Sequence, residues 1–328
     1  MPAPAKSGSA RIRRGRGCVG RLHPRRVPLF RLLMTIFRWL LGPALLGLLL
    51  VAANELAVAR ASRRTADVAY VPAADSAYDA TRHRLDVYAP RQPSPAPRPV
   101  VVFVHGGSWA SGNKDFYSYV GRRLARLGVV AVVVNYRLAP QVRVPQMADD
   151  CARAVLWVQT HIGRYGGDAG RIYLMGHSAG GGLAAWLATD DALFARRGQP
   201  RNPVRGVILD DAAGLDMYDY LRRMEFSDDR QYLVPFGPEP AGWRAASALY
   251  HLHAGVPPFL VFVGAKTYPS ITRSNEKFRQ RLAALGAAPP YHVLPGKKHA
   301  AMVLQLYWPG NVIYRELRAF VGAGTPQR

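Results

Sequence analysis

The chain has 328 residues, 49% of them hydrophobic, with a formal net charge of +23, which is enough to bury a sizeable core in one large domain with an appendage or in two small ones. Two cysteines, Cys18 and Cys151, give no disulfide framework, and no His/Cys/carboxylate cluster has metal-ligand spacing, so a metal hydrolase is not expected. The charge does not indicate a nucleic-acid partner: residues 1–38 hold ten basic side chains and no acid, and the remainder shows no basic stripe interleaved with aromatics.

The basic leader runs into an uncharged apolar stretch over residues 39–53. Its fifteen residues fall short of the ~20 that span a bilayer. Extending back through 32–37 reaches that length only by including Arg38, which can snorkel to the interface. Basic residues crowd the N-terminal side, against Arg60, Arg63 and Arg64 just after the stretch, which sets the N-terminus in the cytoplasm and the remainder outside. Two readings follow: an uncleaved signal anchor, or a signal peptide cut at the A-x-A site Ala57-Val58-Ala59. Translation from Met34 would give an ordinary export signal, and Arg25-Arg26 fits a twin-arginine signal poorly. The leader and apolar segment (about 39–59) are assigned to residues 1–65, and the folded domain to 66–328. The expected location is exported, periplasmic or extracellular, or anchored to the inner membrane with the domain outside the cytoplasm.

After a strand over 85–88 and a Pro-rich turn at 92–99, short β-branched runs alternate with helical patterns. This predicts βαβ units around a mostly parallel sheet with helices on both faces. Strands are expected at 100–104, 129–135, 172–175, 206–209, 259–263 and 291–294. Helices are expected at 117–127, 147–161, 181–188, 274–285 and 312–320. The one long strand-free interval, 210–258, is rich in Tyr, Arg and Trp. It is expected to supply a small helical cap, about 211–257, over a pocket at the end of the sheet.

Residues 176–180 read Gly-His-Ser-Ala-Gly between an apolar strand and a helix, the placement G-x-S-x-G needs to lift a serine off the end of a sheet. A serine hydroxyl becomes a nucleophile only when it is exposed, held near a base and aimed at a carbonyl carbon. Ser178 is the candidate nucleophile. Upstream, the run 100–104 ends in His105-Gly106-Gly107-Ser108-Trp109, where two glycines let backbone amides approach a ligand. The base should follow the last strand, and His299 sits there in a loop before an apolar helix. His23, His83, His161, His251, His253 and His292 fit that placement less well.

These stretches resemble the α/β-hydrolase carboxylesterases near the hormone-sensitive-lipase, kynurenine-formamidase and isoprenylcysteine-methylesterase group. The likeness rests on residues 101–109 (VVFVHGGSW), 132–140 (VVVNYRLAP), 144–156 (VPQMADDCARAVL), 165–180 (YGGDAGRIYLMGHSAG) and His299, and covers roughly residues 84–320. It implies the α/β-hydrolase fold and hydrolysis of a small-molecule ester, or of an activated amide as in a formamidase, through an acyl-enzyme and without a cofactor. The family's oxyanion hole carries over onto the amides of Gly107, Ser108 and Ala179.

One departure stands out. The family's acid follows the next-to-last strand in a Gly-x-x-Asp turn, which here reads Gly264-Ala265-Lys266-Thr267 with no carboxylate. Glu276 is the one acid between this strand and the last, and it falls inside a predicted helix. The substitutes are Asp210, Asp211 and Asp216 after the preceding strand; Asp216 is taken first, then Asp211, with Glu276 as the remaining alternative. The bland role for each aspartate is a helix cap or turn. The missing carboxylate also motivates a second class of reading, a catalytically impaired hydrolase-fold binding protein.

Overall fold

A computed structural model describes Met34, Phe37, Arg38 and residues 42–322. The arginine-rich leader, including Arg25-Arg26, otherwise lies outside the described residues. The chain divides into two units, Met1–Ala53 and Asn54–Arg328. The first contributes the start of helix α1 (Gly42–Ala61), an apolar helix whose Leu45, Leu46, Leu48, Leu49 and Leu50 are all exposed.

The second unit is built on one eight-stranded sheet: β1 (Ser62–Ala69), β2 (Arg84–Pro90), β3 (Arg98–Val104), β4 (Val130–Val134), β5 (Gly167–His177), β6 (Val204–Asp210), β7 (Phe259–Gly264) and β8 (Tyr291–Leu294). Their spatial order is β1-β2-β4-β3-β5-β6-β7-β8. β1 and β2 are antiparallel to their neighbours, and all other pairings are parallel. The central strands are β-branched runs buried on both faces, as a parallel sheet covered by helices requires. One face packs α3 (Val144–His161), α4 (Ala179–Thr189) and α6 (Pro269–Ala284) through residues such as Val155, Leu183 and Phe278. The other packs α2 (Ser118–Arg126), α7 (His299–Leu304) and α8 (Val312–Gly322) through Leu124, Met302 and Leu317.

The N-terminal boundary differs from the expected 65/66. Helix α1 passes directly into β1, so that boundary would cut the strand between Thr65 and Ala66. β1 reads SRRTADVA and has none of the apolar alternation of a half-buried strand; its Arg64 pairs with Asp86 at 2.6 Å and with Asp115 at 2.9 Å. The interval between β6 and β7 holds α5 (Met217–Arg223), the short helices Leu233–Phe236 and Pro240–Ala245, and two 3₁₀ turns.

Candidate active site

Ser178 sits between the last residue of β5 and the first of α4, with φ 55° and ψ −126°. A non-glycine residue holds positive φ only where its surroundings over-determine it. Here they do: its amide donates to the Asp210 carbonyl, and its carbonyl accepts from Gly181, Gly182 and Ala213. The turn closes because Gly176 and Gly180, two positions to either side of Ser178, lack side chains. A Cβ on Gly180 would be driven into the carbonyls of Val104 and His105, and one on Gly176 into the Gly180 carbonyl. Gly106 passes so close that a Cβ there would lie 2.9 Å from the His177 carbonyl and 3.0 Å from the Ser178 Cβ.

Beyond Gly106, Gly107 adopts φ 127°, and Ser108 and Trp109 follow at φ 53° and 59°. The amides of Gly107, Ser108 and Ala179 donate to no backbone acceptor among the described residues. Trp109 fixes this loop edge-on to Phe236 at 4.8 Å and to Tyr232 at 5.9 Å, on the segment between β6 and β7. That segment supplies Met217, Tyr220, Phe226 and Tyr232 to a cleft of about 360 Å³ into which Ser178, Ser108 and His299 also open.

His299 begins α7. Its Nε2 lies 2.8 Å from the Ser178 Oγ, and its Nδ1 lies 2.6 Å from the Asp211 Oδ2. Asp211 is fully buried just past β6 at φ 52°. Its Oδ1 accepts the Gly264 amide at 2.8 Å, and its Oδ2 accepts the Thr267 hydroxyl. The turn that lacks a carboxylate therefore still reaches one, since Thr267 and Gly264 hold the Asp211 carboxylate that projects from the neighbouring strand.

Asp216, ranked first from sequence, is not at this site's histidine. It caps α5, where Oδ1 accepts the Asp219 amide at 3.0 Å and the Tyr250 hydroxyl at 2.9 Å, while Oδ2 pairs with Lys277 at 3.1 Å. Six residues beyond the strand end, its backbone has already turned into the helix and spends the carboxylate on an otherwise unpaired first-turn amide. It borders the cleft without touching His299. Glu276 is also elsewhere, on α6 and bridged to Arg279 at 2.6 Å, which together with Gln280 holds its carboxyl below the usual range.

Two further groups flank the relay. The His177 ring stacks on His299 with centroids 4.8 Å apart, and its Nε2 lies 3.2 Å from the His299 carbonyl oxygen. Burial, then the neighbouring His299, push its pKa down to about 3, so it stays neutral. As the variable residue of the G-x-S-x-G motif it is placed by the elbow itself, which was the available signal. Asp210, opposite His177 across the β5–β6 pair, is fully buried, and neither carboxyl oxygen has a hydrogen-bond partner among the described residues. Burial and the adjacent Asp211 raise its pKa well above the carboxylate range.

Comparison with known proteins places the fold in a family. A family model described as the alpha/beta hydrolase fold matches residues 101–303, more than half of the chain. The chain is 32% identical over 246 residues to a probable isoprenylcysteine alpha-carbonyl methylesterase of Arabidopsis thaliana, covering 69% of this chain and 50% of the relative. It is 30% identical over 225 residues to the esterase LipC of Mycobacterium tuberculosis, covering 66% and 56%. The chain thus spans about half the length of the curated relatives it matches. Among solved structures, an inhibited esterase B from Lactobacillus rhamnosis superposes with a TM-score of 0.70 at 21% identity, covering 86% of this chain and 96% of the other, a likeness of fold. No metal-binding group of three or more His, Cys, Asp or Glu side chains is present among the described residues.

Proposed function

The chain belongs to the alpha/beta hydrolase fold family, and on that footing we propose that it is a serine carboxylesterase acting on small to medium carboxylic esters. The observation that carries the proposal is the continuous relay from Ser178 through His299 to Asp211, with contacts of 2.8 and 2.6 Å. In this reading His299 Nε2 takes the Ser178 proton as Oγ attacks the acyl carbon. The amides of Gly107, Ser108 and Ala179 receive the oxyanion, and the start of α4 adds its dipole. His299 then returns the proton to the departing alcohol, leaving an acyl-enzyme that water hydrolyses by the same steps. Asp211 holds the imidazole in one tautomer and stabilises its charged form. The contact between Asp211 and His299 favours an active enzyme over a catalytically impaired binding protein.

A cleft of about 360 Å³ walled by Trp109, Tyr220 and Tyr232 suits a short acyl chain, and the methylesterase name of the Arabidopsis relative is consistent with a small alcohol. Formamidase-like cleavage of an activated amide uses the same relay and is the second reading. The basic leader and apolar helix support an exported chain with this domain outside the cytoplasm. A fluorophosphonate probe should label the wild type and fail to label Ser178→Ala. A nitrophenyl ester series should show turnover falling as the acyl chain lengthens. An unlabelled, folded wild type that turns over no ester would sink the proposal.

A further inference from the structure

The apolar helix has two fates open to it on sequence grounds, retention or removal at Ala57-Val58-Ala59. The packing of its last two turns, residues 54–61, bears on which one occurs. These turns belong to the same compact unit as the sheet. Val58, the middle residue of the A-x-A triplet, is 1% exposed. Arg123 of α2, 2% exposed, has a guanidinium shared among three acceptors: Nε donates to the Tyr307 carbonyl at 2.8 Å, Nη1 to Asn54 Oδ1 at 3.2 Å and Nη2 to Glu55 Oε1 at 3.0 Å. Glu55 also faces Arg122 at 3.8 Å, and the Ser62 hydroxyl donates to the Val58 carbonyl.

A sequence destined for removal has no reason to complete the charge balance of the mature fold. Cleavage after Ala59 would take away Asn54, Glu55 and Val58 together. Arg123 would lose its one carboxylate partner and its amide acceptor and keep only the Tyr307 carbonyl, with its covering turns stripped away; breaking such a pair is destabilising. The triplet is also helical and partly covered, whereas a peptidase needs it extended and accessible.

We infer that residues 54–61 are a permanent part of the catalytic unit, and that the apolar stretch before them is a retained anchor seated in a lipid bilayer. The bilayer is the occupant that fits: residues 42–53 hold no charged side chain, five leucines there are exposed, and ten basic residues with no acid precede them in sequence. This rests on the reading of the segment as an export element and is independent of the esterase assignment.

The test uses the full chain with a C-terminal tag in a bacterial host, fractionated into soluble and alkaline-carbonate-washed membrane material. Intact mass and peptide mapping are the readouts, so activity plays no part. The expected result is a membrane-retained chain that still contains residues 42–61. A soluble extracytoplasmic chain starting at Arg60 overturns retention and leaves export standing. A soluble cytoplasmic chain with the segment intact overturns both. The two failures are therefore distinguishable in one experiment.

Discussion

At the scale of single residues, the site turns on which of two aspartates five positions apart meets the histidine. Asp211 sits on the last turn of chain that still follows the sheet, and its positive φ aims the carboxylate sideways toward β7 and His299. Asp216 is already the cap of a helix. The two should separate cleanly under the same isosteric change. Asp211→Asn should lower kcat by roughly 10³–10⁴ with the fold intact, because an amide no longer fixes the imidazole tautomer. Asp216→Asn should leave kcat within a few-fold and cost about 1 kcal/mol of stability, as its bond to Lys277 weakens. Steady-state kinetics with thermal melts decide between them, and a reversed ranking would return the acid to Asp216. Sequence alone supported both, since each follows the sixth strand. What separates them is the Thr267 hydroxyl and Gly264 amide on a neighbouring strand, a tertiary fact.

At the scale of elements, the elbow works because β3, β5 and α4 meet at van der Waals distance through glycines. Gly180 is the tightest of these contacts, with Val104 and His105 carbonyls where its side chain would be. Gly180→Ala should therefore lever α4 off the end of β3. A destabilisation of about 1–3 kcal/mol is expected from overpacking, together with loss of fluorophosphonate labelling as the Ala179 amide shifts. Gly163→Ala is the matched control: nothing lies within 4 Å of its Cβ, so its melting and labelling should stay at wild-type levels. Equal melting of the two variants would show that the elbow tolerates a side chain. These glycines were legible in sequence because a motif marks them, and the buried strands were legible as β-branched runs. β1 was not, since its Arg64 and Asp67 find their partners on β2 and beyond, at Asp86, Asp115 and Lys114. A strand held at the sheet's edge by ion pairs leaves no periodic apolar trace.

At the scale of the whole molecule, stability should depend on pH through one group that acts against the rest. Asp67, Asp75, Asp168 and Asp219 all have carboxyl pKa values lowered in the fold: hydrogen bonding to Lys114 leads for Asp67 and to the Ala77 amide for Asp75, while bonds to Arg171 and Arg223 outweigh burial for Asp168 and Asp219. Such groups contribute stability that is present above their unfolded pKa and lost as pH falls through the folded one. Asp210 has the opposite sign. Burial and Asp211 raise its pKa, so between the ordinary carboxylate value of about 3.9 and the raised one the native state holds a proton that the unfolded state has released. Stability is then lost as pH rises across that window. Asp210→Asn keeps the shape and removes the titration, while every other carboxylate remains common to both proteins and cancels in the comparison. The melting temperature of the variant minus that of the wild type should therefore be small near pH 4 and grow as pH rises above the ordinary carboxylate value. A difference that stays constant with pH would mean that Asp210 is ionised in the native state, balanced by a partner it does not have among the described residues.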